Sequence, residues 1–132
     1  MIRIIFSMLL ALSLQTTFAQ TQAEMNQDAQ KAYKRSEAEI NTVYQQILKA
    51  YSDDQLFIKN LRAAQRLWIQ FRDAEMKAKF PARPGNYYGS VFPTCWSNYM
   101  KALTDERIAK LKTWLEPVPE GEVCGGSVNR NH

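Results

Sequence analysis

The stretch Ala64–Glu75 reads Ala-Gln-Arg-Leu-Trp-Ile-Gln-Phe-Arg-Asp-Ala-Glu. It holds strong helix formers and neither glycine nor proline, so a helix is the conformation it adopts at least cost. At 100° per residue, Ala64, Leu67, Trp68, Phe71, Ala74 and, one turn on, Ala78 fall on one side. That side is expected to face a core. Gln65, Arg72 and Glu75 lie at its edge, while Asp73, Arg66 and Arg62 point away. A lone helix of this kind cannot hide its own aromatic residues, so other elements must cover it.

Those elements are visible on both sides. Thr21-Gln22-Ala23-Glu24 has the capping-box form and predicts a helix start. Met25, Ala29, Tyr33, Ile40, Val43, Tyr44, Ile47 and Tyr51 follow at helical spacing. Ser52-Asp53-Asp54 breaks the pattern, with Ser52 or Asp53 as the expected cap of a second helix. That helix carries Leu56, Phe57, Leu61 and the opening stretch, and ends near Phe80. Residues 81–90 contain two prolines and two glycines and predict a loop. A third helix is expected from about Phe92 or Thr94 to Leu115, with a stripe of Trp96, Met100, Leu103, Arg107, Leu111 and Trp114. There is no internal repeat and no strand-like alternation. The predicted fold is all-α, with three long antiparallel helices in an up-down-up bundle.

The first nineteen residues have the form of a secretory signal peptide. Arg3 precedes an apolar run from Ile4 to Leu14, and Thr17-Phe18-Ala19 offers a small-x-small cleavage site. The run is short for a membrane span and no second one follows, so no span is expected once the signal is removed. Cleavage is expected after Ala19, leaving residues 20–132 as a single periplasmic or secreted domain with an irregular tail over 117–132. Losing Arg3 lowers the net charge from +4 to +3. The basic residues alternate with acidic ones instead of gathering in a block, which argues against a nucleic-acid partner. Cys95 and Cys124 form an even pair in an exported chain, so a disulfide tying the tail back to the third helix is expected. Without Cys-x-x-Cys spacing, and with His132 as the sole histidine, no metal site is expected.

Arg107 stands inside an apolar stripe and calls for a partner. Counting back from the two turns places it near Gln65 on the second helix and near Glu37 to Asn41 on the first. A register-setting polar network of Glu37, Asn41, Gln65, Arg72, Glu75 and Arg107 is therefore expected. Two surfaces are candidates for a protein partner. One is the loop, where Arg83, Asn86, Tyr87 and Tyr88 gather residue types common at interface hot spots. The alternative reading is that the tyrosines fold back as a cap on the bundle end. The other surface is the outer face of the second helix, with Asp73 and Arg66. Asp73 is also placed to pair with Lys77 at i,i+4. No Cys/His pair, Gly-x-Ser-x-Gly or phosphate loop is present, and Asp53-Asp54 and Asp105-Glu106 suggest no cleft. No catalytic residue and no cofactor is expected, which leaves a non-enzyme.

The chain resembles the LprI-like lysozyme-inhibitor family of small exported helical proteins. The matches are Met25-Asn26, Glu37 to Asn41 with Tyr44, the opening stretch, Gly89-Ser90 with Pro93, and Leu103-Thr104 with Arg107 and Leu111. It departs from many members in having Asp28 and Met76 where they carry cysteines. The resemblance implies a helical bundle that binds a protein, a lysozyme or other muramidase, by steric occlusion. The alternatives are an envelope interaction or stress protein without inhibitory activity, and an immunity protein against a cell-wall toxin.

Overall fold

The computed structural model describes residues 2–128, with side-chain surroundings from Thr21 onward. Three helices account for most of it: α1 (Ile2–Ala50), α2 (Gln55–Lys79) and α3 (Phe92–Lys112). Among the described residues there is no strand. The side chains of the expected leader, and His132, lie outside the described residues.

α1 runs unbroken through Thr21, so the capping-box sequence there does not open a helix. The residues just upstream, Ala19 and Gln20, are themselves helical, and the backbone N–H groups a cap would satisfy are already bonded. The turn after α1 is closed by Asp54 N–H on the Tyr51 carbonyl, at 3.0 Å. Asp54, rather than Ser52 or Asp53, caps α2: its carboxylate accepts the Phe57 N–H at 2.9 Å.

The order of contacts sets the topology. Asn26, midway along α1, meets Thr94 at the start of α3, and Tyr51, just past the end of α1, meets Trp114 just past the end of α3, so α1 and α3 run the same way. Gln65 meets Arg107 and Glu75 meets Tyr99, so α2 runs against them. The result is an up-down-up bundle in which α3 lies mainly on α1 and touches α2 more sparsely.

The core has two parts. At the turn end, Ile40, Val43, Ile47, Tyr51, Phe57, Ile58, Leu61, Ile108 and Leu111 pack together, with Trp68 and Trp114 against them. The Tyr51 hydroxyl donates to the Trp114 carbonyl at 2.8 Å, fastening the end of α3 to the end of α1. At the loop end, Tyr33, Met76 and Met100 form a second cluster with Phe80, Trp96, Tyr99 and Leu103. Ser36 and Thr104 are buried polar groups with partners: Ser36 donates to Asp105 at 2.6 Å and Thr104 to the Met100 carbonyl at 2.8 Å.

Two further expectations are corrected. The first concerns the phase of α2. Its buried residues are Phe57, Ile58, Leu61 and Met76. Trp68 is half-buried on that side, but Leu67 is 64% exposed and Phe71 57% exposed. Ala64, Ala74 and Ala78 are exposed as well. The helix is apolar on two faces, and the bundle covers the one that continues Phe57 and Leu61.

The second correction concerns the disulfide. Cys95 and Cys124 are free and exposed. Cys95 sits in the first turn of α3. The tail stays near the opposite end, where Ser127 lines a groove with Asp54, Leu56 and Trp114. From Cys95 to the end of α3 at Lys112 the helix spans about 26 Å at the usual rise. A disulfide needs Cα atoms within roughly 7 Å. The bundle is held by packing without a cross-link to its tail.

Candidate functional site

The loop between α2 and α3 is the most distinctive surface of the bundle. α2 ends where the Phe80 N–H bonds the Met76 carbonyl at 2.8 Å, and Pro81 and Pro84 prevent its continuation. Gly85 (φ +64°) and Gly89 (φ +71°) take left-handed conformations that side-chain-bearing residues adopt at a cost. The Gly89 N–H closes a turn on the Asn86 carbonyl at 3.1 Å, and the Phe92 N–H bonds the Gly89 carbonyl at 3.2 Å as α3 begins.

This loop is anchored from below and from the side. Tyr88 stacks on Phe92 with ring centroids 5.0 Å apart, and meets Phe80 edge-on at 5.7 Å. Its hydroxyl donates to the Pro81 carbonyl at 2.6 Å. Such ring pairs each contribute about 0.5–1.5 kcal/mol beyond area burial. From α1, Asn26 Nδ2 donates to the Ser90 carbonyl at 3.1 Å, while its Oδ1 accepts from Thr94 at 2.6 Å. The two tyrosines are therefore placed differently. Tyr88 folds back as a cap. Tyr87 stands outward, 68% exposed, edge-on to Tyr88 at 5.0 Å. The Arg83 guanidinium lies 5.8 Å from the Tyr87 ring, and Arg83 and Asn86 are exposed. A charged and aromatic knob thus stands on a hydrogen-bonded base.

The polar residues within the bundle divide into separate contacts. Arg107 Nε donates to Gln65 Oε1 at 3.0 Å, and its guanidinium lies 5.9 Å from the Trp68 ring. Partial burial lowers the Arg107 pKa. Glu37 instead accepts the Tyr33 hydroxyl, its neighbour one turn back. Burial, then this hydrogen bond and the adjacent carboxylate charge, push the Tyr33 phenol above its ordinary value. Asn41 is exposed and takes no part. Arg72 bonds Asp73 at 3.2 Å and lies over Trp68 at 5.2 Å. Glu75 accepts from Tyr99 at 2.8 Å, and that bond raises the tyrosine's pKa. The six residues do not converge on one network. Three helices in contact leave room for pairs at successive levels, and each of the five besides Asn41 is satisfied by a near neighbour.

Asp73 and Arg66 lie on the outer face of α2, both exposed. The ion pair seen for Asp73 is with Arg72 beside it, not with Lys77. A separate polar contact, missed in the sequence, joins α1 and α3 through Ser36, Asp105 and Lys101. Burial tends to raise the Asp105 pKa, but the hydrogen bonds from Lys101 and Ser36 outweigh it and hold the carboxyl below its usual value.

Among the described residues no three His, Cys, Asp or Glu side chains gather as a metal site, and no helix is long and apolar enough to cross a membrane. What the loop offers chemically is contact: one cation, one exposed ring and a neighbouring amide.

The sequence profile of a family described as lysozyme inhibitor LprI matches residues 14–111. An uncharacterized protein of Rhizobium meliloti (strain 1021) is 32% identical over 110 residues, spanning 74% of this chain and 76% of its own length. No solved structure matches.

Proposed function

The chain belongs to the LprI lysozyme-inhibitor family, and from that premise we propose that it is an exported binding protein that blocks the cleft of a lysozyme or similar muramidase. Residues 1–19 act as the export leader, and the domain works in the periplasm or outside the cell. The Arg83–Tyr87 knob enters the cleft. The observation that carries this reading is the pairing of an exposed Arg83 and Tyr87 on a base held by Tyr88, Phe80 and Phe92. A lysozyme cleft presents two carboxylates to its substrate. A guanidinium matches a carboxylate in geometry and charge, and a tyrosine supplies area with few rotamers to freeze. Arg83 pairs with a cleft carboxylate while Tyr87 fills the space of a sugar ring. Inhibition is steric and requires no bond-making by this protein.

The net charge gives no long-range attraction to a cationic lysozyme, so association rests on local fit and is slow relative to steered pairs. The test is a cell-wall lysis assay with a panel of lysozymes and an excess of the purified protein. Inhibition is expected, and Arg83→Ala or Tyr87→Ala is expected to weaken it by about tenfold or more. Lysis unchanged by excess protein refutes the function. Inhibition insensitive to both substitutions refutes the assignment to this loop.

A further inference from the structure

α2 presents a second apolar face that none of the described residues covers. Asn60, Ala64, Leu67, Phe71, Ala74 and Ala78 recur at alternating spacings of four and three, the period of a helix-pairing seam. All six are exposed, Leu67 at 64% and Phe71 at 57%. Leu56, 69% exposed, extends the face toward the N-terminus of α2. A seam of this period on a helix already packed by its other side calls for a further helix.

We propose that this face pairs antiparallel with the same face of a second copy of the chain. The distribution of size along the seam favours that occupant. Setting Leu67 of each copy over Ala64 of the other carries Phe71 to Asn60, so each large side chain meets a smaller one. Beside Asn60 and Ala64 lies a groove of about 410 Å³, whose walls include Leu56, Leu61, Arg107 and Trp114. The Phe71 ring of the second copy enters this groove, where Arg107 lies close enough to face it. Each copy carries both the knob and the groove, as a two-fold interface requires.

Charge favours the same alignment. Asp53 and Asp54 stand at the start of α2, and Lys77 in its last turn. The antiparallel register that sets Leu67 over Ala64 brings the acidic start of one α2 to the level of the basic last turn of the other. A parallel pairing would set Lys77 against Lys77, Asp54 against Asp54 and Phe71 against Phe71. These end charges are solvated and select direction more than they add strength. The proposal is independent of the lysozyme reading, because the loop knob and this seam are different surfaces.

Sedimentation equilibrium of the purified protein from about 1 μM to 1 mM covers the range in which such an interface associates. A concentration-dependent dimer is expected. Phe71→Glu, at an exposed position, is expected to keep the helical circular dichroism and weaken the dimer by roughly 30-fold, the effect of losing a hot spot. Arg62→Glu, on the other side of α2, is expected to leave the dimer intact. Ala64→Phe, which crowds Leu67 of the other copy, is expected to weaken it several-fold, and adding Leu67→Ala to the same chain to restore it. A monomer throughout, a dimer indifferent to Phe71→Glu, or a dimer lost equally with Arg62→Glu overturns the interface. Failure of Leu67→Ala to restore the Ala64→Phe dimer overturns the antiparallel alignment.

Discussion

Leu61 and Leu67 are six residues apart on one helix, and their replacement by alanine tests which face of α2 the bundle uses. Leu61 is 6% exposed and belongs to the cluster with Phe57, Ile58 and Leu111. Truncating a leucine in such a setting loses its transfer free energy and leaves a cavity, about 2.7–5.0 kcal/mol in a well-studied series. Leu67 is 64% exposed, so about a third of its side chain is out of water. Full burial of a leucine contributes about 1.5–3 kcal/mol, which makes the share at Leu67 roughly 0.5–1 kcal/mol. The better helix propensity of alanine offsets some of that. Leu61→Ala is therefore expected to cost at least about 2 kcal/mol more than Leu67→Ala. Urea unfolding followed at 222 nm measures both. The measurement belongs near 1 μM, because a dimer on the Leu67 face would add stability by mass action. Equal losses for the two substitutions would refute the assignment of faces and return Leu67 to the core.

Further outcomes follow from other contacts. Free, exposed Cys95 and Cys124 predict two thiols per native chain in a thiol-titration assay and the same urea midpoint with and without reductant; a native chain without titratable thiols would contradict the arrangement of the tail. Asp105 is held below its ordinary pKa, so its contribution is present above the unfolded value and is lost as pH falls through the folded one. Asp105→Asn is expected to flatten the acid limb of stability, by less than about 1 kcal/mol because the pair with Lys101 is partly solvated. Tyr33 is raised, so its contribution is complete below the ordinary tyrosine pKa and declines as pH rises above it; Tyr33→Phe is expected to remove that alkaline decline in stability-versus-pH curves. Gln65→Leu deprives the half-buried Arg107 of its acceptor and is expected to cost about 1 kcal/mol in the same urea assay.

The α1 stripe was legible because it is the one strongly apolar side of that helix. Of its eight residues, Ala29, Tyr33, Ile40, Val43, Ile47 and Tyr51 are buried, Tyr44 is half-buried and Met25 is exposed. Two prolines and two glycines marked the loop, and its two glycines at positive φ are the reason it turns as it does. The Gln65–Arg107 contact followed from counting residues outward from the turns, since antiparallel helices of known rise bring predictable levels together. Glu37 and Asn41 escaped the same count. Which way a side chain at the edge of a helix leans is decided by its nearest donor, and for Glu37 that donor is Tyr33. The Ser36–Asp105 contact carried no signal, because a serine at helical spacing reads like any small residue.

The existence of three helices and the breaks between them were determined by the amino-acid sequence alone, although α1 runs on upstream of Thr21 and the cap of α2 is Asp54. Each depends on interactions within a few residues: spacing of apolar side chains, a capping aspartate, prolines where a backbone N–H is needed. The tertiary structure decided what depends on which surfaces meet. α2 has two apolar faces, and only packing against α1 and α3 selects the one carrying Phe57 and Leu61, leaving Leu67 and Phe71 in water. An even count of cysteines says nothing of distance, and the length of α3 keeps Cys95 and Cys124 apart. Local chemistry is written residue by residue, whereas burial is a property of the assembled surfaces.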